Sequence, residues 1–283
     1  MKHFFPAFFL LLLCVLCFSA GMIESSLSIA SNEADLARRY LPPSSAHILG
    51  TDELGRDVFI RLLYGGQVSL LVALAAGLVS AFIGTGIGMA AGYAGGKWDA
   101  LLMRFTDLLI SLPALPLLII LSALDPAKLG LGGIAGAQNA SLYKIIAIIS
   151  LLGWTTVARL ARARTLTIKQ MDFVLAARAL GVSGFRIVLR HVFPNLLGTI
   201  VVATALAAGN IILLESVLSF LGLGIQPPLP SWGNMLTNAA EMIWEHAHLT
   251  IYPGVMIFLT VLACNFMGDA LQSALDPKTR NHI

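Results

Sequence analysis

Residues 68–91 read VSLLVALAAGLVSAFIGTGIGMAA, and no Asp, Glu, Lys or Arg occurs between Arg61 and Lys97. A helix that crosses the hydrocarbon layer of a membrane needs about 20 consecutive, mostly apolar residues. Lipid offers the backbone no hydrogen-bond partners, so only a helix or a closed barrel can span it. The run is continuous rather than alternating, which selects the helix. Gly84, Gly86, Gly88 and Gly92 punctuate it. Small residues on a membrane helix allow a second helix backbone to come close.

The rest of the chain agrees with this reading. Of 283 residues, 57% are hydrophobic and 12% charged, whereas soluble domains average about 45–50% apolar and about 25% charged. Residues 4–22 form a first apolar run, with Lys2 before it and small residues at its end; it reads as an uncleaved span or a signal peptide. A third run, residues 108–124, contains Pro113 and Pro116 and is expected to kink. The fourth lies between Lys144 and Arg159, whose long side chains would snorkel to the interfaces. The fifth, residues 196–221, carries Glu215, and the sixth covers residues 249–268. The expected fold is an all-α integral membrane protein with six transmembrane helices. It is a single transmembrane domain over residues 1–283: a first span over 1–23, an outer segment over 24–66, and a five-helix core over 67–283 that includes the loop at 159–195.

Basic loops stay in the cytoplasm. With the N-terminus inside, 12 of the 18 Lys and Arg residues fall on cytoplasmic segments. Both termini are therefore expected in the cytoplasm, with 24–66 and 222–248 as the large outer segments. Glu215 is left inside a span, where an ionisable group faces a pathway or a partner, or forms a structural hydrogen bond to a neighbouring helix.

The most informative cytoplasmic stretch is residues 159–195, between spans 4 and 5. It contains RLARART from Arg159, DFVLAARALG from Asp172 and VSGFRIVLRHVFPN from Val182. Asp172 is expected to cap a short helix that stops at Gly181. Ser183 is expected to cap a second short helix ending before Pro194. The product is a helix, a sharp turn and a helix on the cytoplasmic face. It reads as a basic segment lying on anionic lipid, or as a knob for a groove on a partner, with Ala176, Ala177, Ala179 and Gly181 permitting close approach.

Ala176-Ala177, then Gly181, then Ile187 and Pro194 at a distance, resemble the coupling-loop signature of permeases from ATP-binding-cassette (ABC) importers. The family pattern begins with Glu; this chain has Leu175, so a salt bridge made by that Glu does not carry over. Further stretches resemble the dipeptide, oligopeptide and nickel branch: HILGTDELGRDV at 47–58, GYAGGKWD at 92–99, ESVLSFLGLG at 215–224, QPPLPSWG at 226–233 and GDALQSALDP at 268–277. The length and order of segments are similar to the second permease of the pair. The resemblance implies a non-catalytic bacterial inner-membrane subunit that forms half of a pathway for peptides, with nickel or a metal chelate as the alternative cargo. It implies that a second permease, one or two cytoplasmic ATPase subunits and a periplasmic or lipid-anchored solute-binding protein complete the system. ATP and magnesium would be bound by the ATPase subunits, with no cofactor or nucleic acid on this chain. Ala176, Ala177, Arg178, Gly181, Ser183, Ile187 and Pro194 would form the segment that meets the ATPase. A membrane scaffold without a transport path is the rival reading.

The remaining constellations carry less. There is no phosphate loop of the form G-x-x-x-x-G-K-[ST]. Cys14 and Cys17 lie in an apolar run, where Cys behaves as a small hydrophobe. Thr51 or Asp52 is expected to cap a short interfacial helix; a metal site among Asp52, Glu53 and Asp57 is the alternative. Glu241, Glu245, His246 and His248 read as a solvated outer cluster or as metal ligands.

Overall fold

The computed structural model describes residues 4–27, 29, 32–124 and 139–275. Lys2, Lys128, Lys278 and Arg280, on which part of the charge argument rests, and Asp276-Pro277 lie outside the described residues. Helices account for nearly all of the regular structure, in the order α1 (Phe4–Phe18), α2 (Ala20–Leu27), α3 (Val58–Ala94), α4 (Gly96–Ser111), α5 (Ala114–Ala123), α6 (Ala140–Ile168), α7 (Asp172–Ala179), α8 (Gly184–Ile187), α9 (Phe193–Phe220), α10 (Ala239–Met242) and α11 (Ala247–Leu275).

Four helical stretches are long and apolar enough to cross a membrane: α3, α6, the stretch from Gly184 to Phe220, and α11. Two bent pairs bring the total to as many as six, if each pair is counted as one broken span. α1 and α2 meet at 51°, and α4 and α5 at 86°. The run at 108–124 is therefore not one kinked helix. It is split between the end of α4 and the short α5, which is about 15 Å long and cannot cross alone. The break falls at Leu112-Pro113. Leu112 is extended, as the residue before a proline must be, and Pro116 sits in the first turn of α5, where no N–H is required.

Contacts at small residues give the helix directions. Cβ atoms placed on Gly84 and Gly92 would approach the Trp154 carbonyl to 2.5 Å and Thr165 Cβ to 2.8 Å, and one on Gly88 would overlap the Ala158 carbonyl oxygen. Glycine every fourth residue thus seats α3 on α6, and the matching order along both helices makes them parallel. Gly86, on the opposite face, meets nothing. Gly77 of α3 lies by Ile211, while Ser69 meets Glu215, so α9 is antiparallel to α3. Gly209 lies by Val261 and Gly268 by Leu206, so α11 is antiparallel to α9. Cys17 of α1 fills the space beside Gly66, and Tyr64 lies beside Gly21, so α1 runs opposite to α3. Phe4, Leu275 and α7 accordingly share one end of the bundle.

At the other end, Asp57 caps α3 by accepting from the Ile60 N–H at 2.9 Å and pairs with His47 Nδ1 at 3.0 Å. Capping does not fall to Thr51 or Asp52. Asp52 instead closes a tight turn, accepting from the Leu54 and Arg56 N–H groups and the Arg56 Nε. Thr51 bridges back to Leu41 and Arg38. Trp232 plugs this end, fully buried against Gly65 and Gly66, and donates to the Leu62 carbonyl at 2.9 Å.

Candidate functional site

The segment joining α6 to α9 projects from the α7 end on a small core of its own. Ile168, Val174, Ala177, Ile187, Val192 and Leu196 are buried together, with Met89 and Tyr93 of α3 packed beneath. Tyr93 is the shared contact of this arrangement. Its carbonyl accepts from Lys169 Nζ at 2.7 Å, Lys169 and Arg178 place their cations 5.6 and 5.9 Å from its ring, and Gly184 abuts its edge. Asp99 of α4 receives both Nε and Nη2 of Arg162 of α6, at 2.5 and 2.7 Å, which ties α4 to the same end.

The helix–turn–helix shape is present with changed details. α7 begins with Asp172 in its first turn; the residue before it, Met171, caps without a side-chain bond. Gly181 adopts a φ of +78° with open space around it, the conformation glycine supplies at a helix end. Ser183 precedes α8, again without a side-chain bond. The second helix does not end before Pro194. It continues through a π turn over Val188–Val192 into α9. Pro194 cannot donate to the carbonyl four residues back, and its ring would press on that carbonyl in an unbroken α-helix. The wider π turn relieves both problems and lets the helix run on.

The candidate coupling residues divide into two faces. Ala177 and Ile187 point into the small core, whereas Ala176, Arg178, Gly181, Ser183 and Pro194 are exposed. The most exposed large apolar side chains of this segment are two that the small-residue pattern did not single out: Leu180, 83% exposed, and Phe185, 77% exposed. Two large apolar residues flanking a turn glycine in a basic loop were the available signal.

Glu215 lies inside the subunit with no exposed surface. Ser69 of α3 donates to Oε2 at 2.9 Å and Ser219 donates to Oε1 at 2.7 Å. The Ser219 hydroxyl in turn accepts from the Ile225 N–H at 3.0 Å. This niche is a structural hydrogen-bond junction of α3, α9 and the segment after α9. Two concavities lie elsewhere. One, of about 340 Å³, sits at the α3 N-terminal end between Arg56, Arg61, Gln226 and Asn238. The other, of about 420 Å³, is mostly apolar and lies between the α4–α5 elbow, α6 and α9. Among the described residues, no group of three His, Cys, Asp or Glu side chains is placed to hold a metal ion. His246 stacks on Tyr40 at 4.1 Å, and His248 stands edge-on to His246.

Residues 84–281 match the family described as binding-protein-dependent transport system inner membrane component. The chain is 40% identical over 252 residues to the glutathione transport system permease protein GsiD of Pectobacterium atrosepticum, covering 89% of this chain and 79% of that one. It is 42% identical over 246 residues to the dipeptide transport system permease protein DppC of Bacillus subtilis, covering 87% and 73%. Against the oligopeptide transport system permease protein OppC of Haemophilus influenzae the identity is 41% over 234 residues, covering 83% and 71%. A solved structure of the MetNI methionine ABC transporter, in an inward-facing conformation, superposes with a TM-score of 0.61 over 76% of this chain and 96% of that one, at 17% identity. At that identity the likeness speaks for the fold.

Proposed function

The chain belongs to the family of binding-protein-dependent transport system inner membrane components, and from that premise we propose that it forms half of the translocation pathway for peptides in a bacterial ATP-driven importer. It is a multi-pass permease subunit of the inner membrane. Peptide cargo is supported by the relatives named for glutathione, dipeptides and oligopeptides. None of these three relatives is named for nickel or a metal chelate, the alternative cargo.

In this reading a homologous second permease faces this one across the pathway. Separate cytoplasmic ATPase subunits bind ATP and magnesium, and a solute-binding protein delivers cargo at the opposite face. The α7 end lies in the cytoplasm, as the basic residues of 159–195 favour. The carrying observation is the exposed apolar pair Leu180 and Phe185 around Gly181, standing on a buried floor. Two large apolar side chains held mostly exposed on either side of one turn fit a partner surface. Closure of the ATPase pushes on this knob. The push passes through the small core and Tyr93 to α3, and through the unbroken α8–α9 helix to the pathway, rocking the bundle between outward and inward access.

Leu180→Asp and Phe185→Asp test this directly. Neither side chain supports the subunit's own core, so the variants are expected to fold and to pair with the second permease. Co-purified ATPase is expected to fall about tenfold or more in each, the worth of one buried anchor at an interface. Undiminished ATPase attachment in both variants would remove the knob from the coupling mechanism. Gly181→Trp is a less direct probe, because a φ of +78° strains any side chain there before a partner arrives.

A further inference from the structure

The importer reading leaves open which groups meet the cargo inside the membrane, and Glu215 is enclosed by its own subunit. α9 carries a second polar group at depth. Asn210 is exposed, ten residues before the helix ends at Phe220, which places it about 15 Å from that end. It lines the 420 Å³ cavity bounded by the α4–α5 elbow, α6 and α9. Its carboxamide has no hydrogen-bond partner among the described residues. Thr156 of α6 is exposed and lines the same cavity, as does Ser80 of α3, 3% exposed and with its hydroxyl likewise unpartnered. Apart from Thr155, whose hydroxyl donates to the Leu152 carbonyl, the remaining lining is apolar, with Leu112, Leu206 and Leu214 among it.

A bare carboxamide facing hydrocarbon at this depth costs several kcal/mol. The cost disappears if the cavity holds water or a polar guest. The volume suits part of a small polar ligand, since ligand sites run from about 300 to 1,000 Å³ and combine apolar walls with a few placed polar groups. A peptide stripped of water presents alternating N–H donors and C=O acceptors. A carboxamide complements both, because it carries two donors and an acceptor oxygen. A charged group would hold one peptide terminus and retain it, whereas an amide–amide bond is weak enough to be exchanged along the path.

Resting on the peptide-importer reading above, we infer that Asn210, in the cavity beneath the α4–α5 elbow, hydrogen-bonds the backbone amides of the peptide in transit and favours cargo that carries them. Thr156 supplies a neighbouring hydroxyl. The site belongs to this subunit and acts after the solute-binding protein has released its cargo.

The test uses the complete complex in proteoliposomes with its binding protein. Uptake of labelled tri-alanine is compared with that of alanyl-alanyl-lactic acid, in which the last amide N–H is replaced by an ester oxygen. Wild type, Asn210→Leu and Asn265→Leu are measured; Asn265 is an exposed asparagine of α11 outside the cavity. The binding protein is common to all three, so its own discrimination cancels when their preference ratios are compared. One neutral hydrogen bond is worth about fivefold. Asn210→Leu is therefore expected to lower the amide-over-ester preference about fivefold, with Asn265→Leu matching wild type. An unchanged ratio in Asn210→Leu overturns the inference. Loss of the second permease from Asn210→Leu alone also overturns it, assigning the carboxamide to the subunit interface. A wild-type complex that takes up neither compound defeats the peptide-importer reading itself, and the inference with it.

Discussion

Glu215 and Gly88 show how single residues acquire their roles from what surrounds them. An ionisable group inside a span is costly and usually faces a cavity or a partner. Here the cost is met locally, by hydroxyls from Ser69 and Ser219, and the carboxyl in effect joins α3 to α9. Glu215→Ala would leave both hydroxyls without their acceptor and open a void, a combination that costs about 2–4 kcal/mol. Glu215→Gln keeps the shape and one acceptor oxygen and is expected to cost about 1 kcal/mol. Thermal unfolding of the detergent-solubilised subunit measures both. The uptake preference between cargoes is expected to be the same in the Gln variant as in wild type, because the carboxyl is enclosed by its own subunit; a changed preference would return Glu215 to the pathway.

Among the elements, the α3–α6 pair is the most demanding. Gly88 faces the Ala158 carbonyl and the Ala161 methyl, both fixed to the α6 backbone, so an added methyl cannot be accommodated by a side-chain rotation. Gly88→Ala is expected to destabilise the subunit by about 1–3 kcal/mol, the usual cost of overpacking. Gly86→Ala, two residues away and facing open space, is expected to be neutral or to stabilise by up to about 1 kcal/mol, through lower unfolded-state entropy. Unfolding midpoints of the two variants in the same detergent should therefore move in different directions, or one should stay still. The same logic of local necessity shapes the stretch from α7 to α9. Gly181 turns the chain, the π turn admits Pro194, and a helix that sequence rules end at the proline instead transmits directly into a span.

At the scale of the whole molecule, the helix directions put Phe4, α7 and Leu275 at one end, with residues 47–61 and Trp232 at the other. In a background lacking Cys14, Cys17 and Cys264, Leu180→Cys is expected to react with a membrane-impermeant thiol reagent only from the cytoplasmic side. Leu36→Cys, also exposed, is expected to react only from the outer side. Labelling of both from one side would contradict the six-span arrangement. Much of this was legible in the chain itself. Apolar runs longer than the bilayer, a glycine every fourth residue from Gly84, a basic segment split by Gly181, and ordered stretches of family resemblance led to an all-α permease subunit with a coupling loop. These are local properties, set by hydropathy, spacing and backbone freedom, and they survive without knowledge of neighbours. What only the tertiary structure decided were the matters that depend on which side of a residue is occupied. It separated Gly88 from Gly86, turned Ala177 inward and left Leu180 out, divided the proline-containing run into an elbow, and enclosed Glu215 while leaving Asn210 open to a cavity. A sequence lists the side chains along a helix, but the direction each one faces, and what it meets there, is set by packing between elements far apart in the chain.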